Sequence, residues 1–240
     1  MSEKVIGILG GMGPEATLDC FAKIIKNTPV KKDQDHLRVV IDSNPKVPDR
    51  TAAILGKGDS PVPEVVQGGL ALEKAGADFI IIPCVSVHFF LDELRSQIGL
   101  PILSIFDSVA EAIEQDHPEI KTVGLMGTSG TVQGGLFQKR LATGGISTLI
   151  CDEHHQAQVM AAIYNIKKGQ PDRPQSAITV DLIAAAKSLI TQGAGGIIAG
   201  CTEIPLALKQ EHMSVTYFDS LLLLARAAIR LSGLEPIPLP

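Results

Sequence analysis

The chain repeats itself, and the repeat restricts its fold more than any other feature. "KVIGILGGMG" from Lys4 and "KTVGLMGTSG" from Lys121 align lysine on lysine, Gly7 on Gly124, Gly10 on Gly127 and Gly13 on Gly130, an offset of 117. The same offset lays "AGADFIIIPC" on "QGAGGIIAGC", pairing Gly76 with Gly193, Ala77 with Ala194, Ile80 with Ile197, Ile81 with Ile198 and Cys84 with Cys201. A later echo, "IFDSVAEAI" at 105 and "YFDSLLLLARAAI" at 217, is shifted by 112. Matched strand-like runs followed by matched loops point to two similar units. Apolar runs of strand length alternate with helix-period stretches, the α/β signature. We therefore expect an α/β fold of two pseudo-symmetric doubly wound domains, each with a mainly parallel sheet, and a cleft between them. Their expected extents are 1–105 with 213–240, and 106–212, the last helix returning to the first unit.

The 240 residues suit two units of roughly 120 residues. Strands are expected at Val5–Leu9, Arg38–Asp42, Phe79–Ile82, Ile102–Ser104, Thr122–Met126, Ser147–Ile150, Gly196–Ala199 and Val215–Tyr217. Helices are expected at Pro14–Asn27, Pro63–Ala75, Asp107–Gln115, Gly134–Thr143, His155–Lys167, Ser176–Gln192 and Asp219–Leu231. The segment Ser43–Pro63, rich in Pro and Gly, has little apolar pattern and reads as a long functional loop.

Pro83 and Gly200 close the two matched strands, and a cysteine follows each. The carboxyl edge of an open α/β sheet is where ligands bind. Two thiols brought to one cleft from opposite sides supply what inversion at a carbon needs: one group removes a proton and the other returns one to the opposite face. An ordinary cysteine pKa of about 8.5 lets local electrostatics select thiolate or thiol near neutrality. Each cysteine precedes a hydroxyl residue and an expected helix start, Cys84-Val85-Ser86 and Cys201-Thr202-Glu203, where an anion is favoured. Nothing in such a design requires a cofactor, and it suits racemisation or epimerisation.

"GILGGMGPEAT" at 7–17, "PDRTAAIL" at 48–55, "PCVSVHFF" at 83–90, "GTSGT" at 127–131, "IKKG" at 166–169 and "IIAGCTEIPL" at 197–206, in that order, resemble the aspartate/glutamate racemase family, most of all its aspartate or amino-acid racemase branch. The resemblance implies an isomerase that works without pyridoxal phosphate, takes an acidic or related amino acid or a dicarboxylate, and forms a homodimer. It implies Cys84 and Cys201 as the acid/base pair and Arg50 as the ligand of a substrate carboxylate. Lys167, with Lys168 as its alternative, matches the basic residue of the "IKKG" motif. Met12, Gly13, Thr128 and Thr131 would line the site, and Ser86 and Thr202 would present hydroxyls beside the thiols. Val85 departs from the family, which commonly has Asn there, and so removes an amide from the substrate's surroundings. Gly134 and Phe137 stand where Ser and Tyr are frequent. These departures weaken aspartate as the substrate and leave two other readings open. One is an altered or inactive member that binds a small carboxylate; the other is a cysteine-dependent isomerase or decarboxylase of a diacid.

Composition narrows the field. Net charge is −5, with two Tyr, seven Phe, no Trp and no basic stripe, which excludes a nucleic-acid partner. The start, MSEKVIGILGGMG, has neither a signal-peptide pattern nor a membrane span, and Cys20, Cys84, Cys151 and Cys201 show no CxxC pairing, so a cytoplasmic protein with reduced thiols is expected. "GMGPEA" at 11–16 fits the dinucleotide fingerprint, but Glu15 at the helix start would repel pyrophosphate. "CDEHHQ" at 151–156 lacks the second cluster that a tetrahedral metal site needs, so no metal is expected. Cys20 and Cys151 read as packing residues. His88 stands equally as a core residue or as a neighbour tuning Cys84, and Glu203 is given no catalytic role.

Overall fold

The computed structural model describes residues 3–169 and 172–239. Its first sheet holds three parallel strands, β1 (Ile6–Gly10), β2 (Val39–Ser43) and β3 (Phe79–Ile81), in the order β2-β1-β3. The second holds β4 (Thr122–Gly127), β5 (Ser147–Ile150), β6 (Gly196–Gly200) and β7 (Thr216–Asp219), also parallel, in the order β5-β4-β6-β7. β1 and β6 are wholly buried, and β4 is buried from Val123 onward, as apolar runs in parallel sheets covered on both faces should be. Ile6 faces Phe79 and Val123 faces Gly196, so both central pairs of strands are displaced by the 117 residues of the repeat. The internal homology thus extends to hydrogen-bond register.

The helices are α1 (Pro14–Asn27), α2 (Arg50–Ile54), α3 (Val62–Lys74), α4 (Leu91–Arg95), α5 (Ile105–Asp116) and α6 (Ser129–Gly134), followed by α7 (Leu136–Thr143), α8 (Glu153–Lys167), α9 (Gln175–Thr191), α10 (Ile204–Ala207) and α11 (Ser220–Leu231). α5 and α11, which carry the later sequence echo, pack against each other. Their starts are capped by side chains, the Ser104 hydroxyl accepting from the Asp107 N–H and the Asp219 carboxylate from the N–H groups of Leu221 and Leu222.

Several expectations need correcting. Ile102–Ser104 forms no strand, only a bridge from Ile102 to Ile80. The Ser43–Pro63 loop contains α2, started by the Asp49 carboxylate, which accepts from the Ala52 N–H at 2.7 Å. The helix expected over Gly134–Thr143 is broken at Gly135, whose φ of 68° is left-handed and ends α6. The segment 213–240 is divided: β7 extends the second sheet, while α11 crosses to pack on α1. Lys23 of α1 pairs with Asp219 at 3.1 Å on this seam.

The two halves also meet where α2 lies on α6. A Cβ added at Gly130 would come 3.1 Å from the Thr51 Cα, so the glycine permits the close approach that seats α2. A cavity of about 1100 Å³ lies elsewhere, along β7 and the end of α5, and neither Cys84 nor Cys201 borders it. Among the described residues, no helix is long and apolar enough to cross a membrane.

Candidate active site

Cys84 follows β3 and Cys201 follows β6, and both thiols are buried and unpaired. Neither precedes a long helix. A 3₁₀ turn, Ser86–Phe90, comes after Cys84, and the four-residue α10 comes after Cys201. Helices that short sum little dipole, so the expected anion-favouring helix starts are replaced by side-chain charge.

The chain neighbours of the two thiols touch. The Thr202 hydroxyl donates to the Pro83 carbonyl at 3.2 Å, a contact that crosses 119 positions of sequence and joins the halves beside both sulfurs. Thr202 therefore spends its hydroxyl on the seam rather than presenting it freely. Ser86 Oγ lies 3.6 Å from Cys84 Sγ. At the matched position stands Glu203, whose Oε2 accepts from Cys201 Sγ at 2.9 Å and lies 3.4 Å from the Thr202 hydroxyl oxygen.

Glu203 is the residue that sequence reasoning missed. It is only 2 % exposed, and its other oxygen accepts from the Gly13 N–H at 3.3 Å and faces Lys167 Nζ at 3.6 Å. The repeat carried a signal for it, because a carboxylate two residues after one thiol replaces a hydroxyl two residues after the other. Burial first, then the Glu203 charge, push the Cys201 thiol well above its ordinary pKa, with Lys167 opposing. Burial lowers the Lys167 pKa, but Glu203 and the two thiol sulfurs outweigh it and hold the ammonium charged. Lys168, the alternative, pairs with Asp172 on the exposed side.

Arg50 opens α2 and is buried. Nη1 donates to the carbonyls of Val47 and Pro48 at 3.1 and 2.9 Å, and Nη2 to that of Met12 at 3.3 Å. Nε is buried with no partner, an unmade hydrogen bond that costs about 1–3 kcal/mol. Burial works against the guanidinium charge, but the Cys84 sulfur beside it, Asp49 and Glu203 raise its pKa on balance. Met12 is buried, and Gly13 begins α1 as its cap.

The hydroxyls of Thr128 and Thr131 meet at 3.1 Å, and that of Thr128 also accepts from the Thr131 N–H to cap α6. Val85 packs in the apolar core with Phe106 and Phe137. His88 is buried, its Nδ1 2.8 Å from the Cys84 carbonyl, and burial pushes its pKa down to about 4, so the ring is neutral and fixes the backbone at Cys84. Tyr164 of α8, unassigned from sequence, is two-fifths exposed and lies within electrostatic reach of Asp49, Lys167, Arg50 and Cys201. His155 Nδ1 meets Asp152, the cap of α8, at 2.8 Å.

Residues 9–228 match the family model described as Asp/Glu/hydantoin racemase. The chain belongs to the Asp/Glu/hydantoin racemase family. It is accordingly an isomerase, a racemase by family. It is similar to the broad specificity amino-acid racemase RacX of Bacillus subtilis (strain 168), 31 % identical over 231 residues that cover 94 % of this chain and 96 % of the relative. It is also similar to Picrophilus torridus aspartate racemase, with a TM-score of 0.87 and 28 % identity over 98 % of this chain and 96 % of that one. The glutamate racemase of Francisella tularensis shares the fold, with a TM-score of 0.68 at 14 % identity over 96 % of this chain and 81 % of that one. Within this racemase fold, residues from both halves (Gly13, Arg50 and Cys84 from the first, Lys167, Cys201 and Glu203 from the second) form one buried charged group.

Proposed function

We propose that this chain is a cofactor-independent amino-acid racemase in which Cys84 and Cys201 exchange a proton with opposite faces of the substrate α-carbon. The carrying observation is the pair of buried thiols at register-equivalent strand ends, gathered around one group of Arg50, Lys167 and Glu203. Arg50 Nε, without a partner, is the donor for the α-carboxylate, which a guanidinium edge suits. Gly13, Met12, Thr128, Thr131 and Ser86 line the substrate's surroundings.

The thiols start unequal. Cys201 donates its hydrogen to Glu203, so it is the resting acid, and Cys84 beside Arg50 is the resting base. Cys84 thiolate takes the α-proton, the electron pair passes into the carboxylate held by Arg50, and Cys201 delivers its proton to the opposite face. The sulfurs then hold the reverse protonation states, ready for the other enantiomer. Proton transfer by a positioned group contributes about 10²–10⁴-fold in rate. No step calls for pyridoxal phosphate. The family resemblance and the four unpaired cysteines support a homodimer acting in the cytoplasm.

The test is incubation of the purified protein with single enantiomers of a broad amino-acid panel in deuterated water. Racemisation with solvent deuterium at the α-carbon supports the proposal. Absence of exchange across the panel overturns it in favour of a carboxylate-binding protein.

A further inference from the structure

Val85 is 2 % exposed although it directly follows the proposed base. With Ile54, Phe89, Phe106 and Leu136 it walls a small cavity whose polar rim is Ser86 and Thr131. The free volume is about 10 Å³, close to the space of one water molecule or methyl group. Cys84 itself does not border the cavity; the link is Ser86, which lines it and whose Oγ lies 3.6 Å from Cys84 Sγ. Among the described residues, no charged one borders the cavity. An ionised group placed there would be buried with two hydroxyls and no cation, the environment least able to hold a charge.

The charges nearby lead the same way. Lys167 faces the Glu203 carboxylate, and the Nη groups of Arg50 are engaged by carbonyl oxygens. What remains on Arg50 is Nε–H and one Nη2 hydrogen, a single guanidinium edge that suits the one carboxylate every α-amino acid carries. Among the described residues of this group, a second carboxylate finds no cation that is free of a carboxylate partner.

We infer that the substrate is an amino acid with a short uncharged side chain, alkyl or hydroxyl-bearing, and that Val85 and Phe89 determine this specificity. The inference rests on the racemase reading above and deepens it. Val85 keeps the side-chain cavity apolar. Phe89 limits its length: it is 43 % exposed, and a Cβ added at Gly134 would come 3.1 Å from its ring. Opening that wall has a free direction, toward solvent.

The experiment measures kcat/KM for racemisation of alanine, serine, leucine, aspartate and glutamate by the natural chain, Val85→Asn and Phe89→Ala. Alanine or serine should exceed aspartate and glutamate by about tenfold or more in the natural chain. Val85→Asn, which adds an amide donor, should shift the aspartate-to-alanine ratio upward by about tenfold, and Phe89→Ala should raise leucine relative to alanine. A natural chain that prefers aspartate or glutamate overturns the inference and leaves the racemase reading standing; this comparison needs no variant to fold. Unchanged ratios in both folded variants also overturn it. Failure to exchange any amino acid removes the racemase reading and this inference together.

Discussion

Cys201 and Glu203 are joined through Sγ and Oε2 at 2.9 Å, whereas their counterparts in the first half, Cys84 and Ser86, stand 3.6 Å apart. One acceptor is a carboxylate and the other a hydroxyl, so a pseudo-symmetric scaffold holds two chemically unequal thiols. A two-base racemase needs opposite protonation states on its two thiols, and unequal acceptors favour one of the two arrangements at rest.

Glu203→Gln should separate the roles of that carboxylate. The charge raises the Cys201 pKa, so its removal lowers it, and the alkaline limb of the racemisation profile should move to lower pH. Turnover should fall by about 10–100-fold as the acceptor for Cys201 and the partner of Lys167 weaken together. Profiles of kcat against pH in both directions provide the check. An unmoved alkaline limb would contradict the assignment of Cys201 as the resting acid.

Cys84→Ser and Cys201→Ser should each abolish racemisation, by at least about 10²–10⁴-fold, because a hydroxyl cannot act as the base near neutral pH. Hydrogen exchange at the α-carbon should persist for one enantiomer per variant, supported by the surviving thiol. Cys20→Ser and Cys151→Ser should keep turnover near that of the natural chain, since Cys20 is buried in α1 and Cys151 lies after β5. Chiral chromatography of all four variants distinguishes these outcomes, and near-normal racemisation by Cys84→Ser would rule out the two-thiol mechanism.

Thr202→Val preserves shape but deletes the bond to the Pro83 carbonyl. Leaving that buried acceptor unsatisfied should cost about 1–3 kcal/mol in urea unfolding. Racemisation should fall as well, because the bond positions the chain beside both sulfurs. A variant with unaltered stability and rate would show that the seam is held elsewhere.

His88 makes stability depend on pH. Its folded pKa is about 4 against 6.5 for the free side chain, so the unfolded chain binds the extra proton as pH falls through this interval. The stability it contributes is full above pH 6.5 and is lost toward pH 4, with a loss of about 2 kcal/mol between pH 7 and pH 5. Urea unfolding at the two pH values should show this loss in the natural chain and a smaller one in His88→Gln. Equal slopes would mean that the ring titrates normally.

The sequence by itself determined the repeated scaffold and the placement of its thiols. Glycine loops, apolar strand runs and Cys84 matched to Cys201 are local patterns at one offset, and parallel pairing converts that offset into the shared register of Ile6 with Phe79 and Val123 with Gly196. Arg50 was legible as a loop residue of interest, although the helix that seats it depends on Gly130 admitting Thr51 from the other half. Only the tertiary structure decided what Glu203 does, since its partners Gly13 and Lys167 lie far from it in sequence and meet it in a buried space that no local period encodes. The same holds for β7, assigned to the second sheet by pairing with β6 while its following helix returns to α1. Strand and helix periods report which face of a segment is buried; which other segment buries it is settled by the packing of the whole chain.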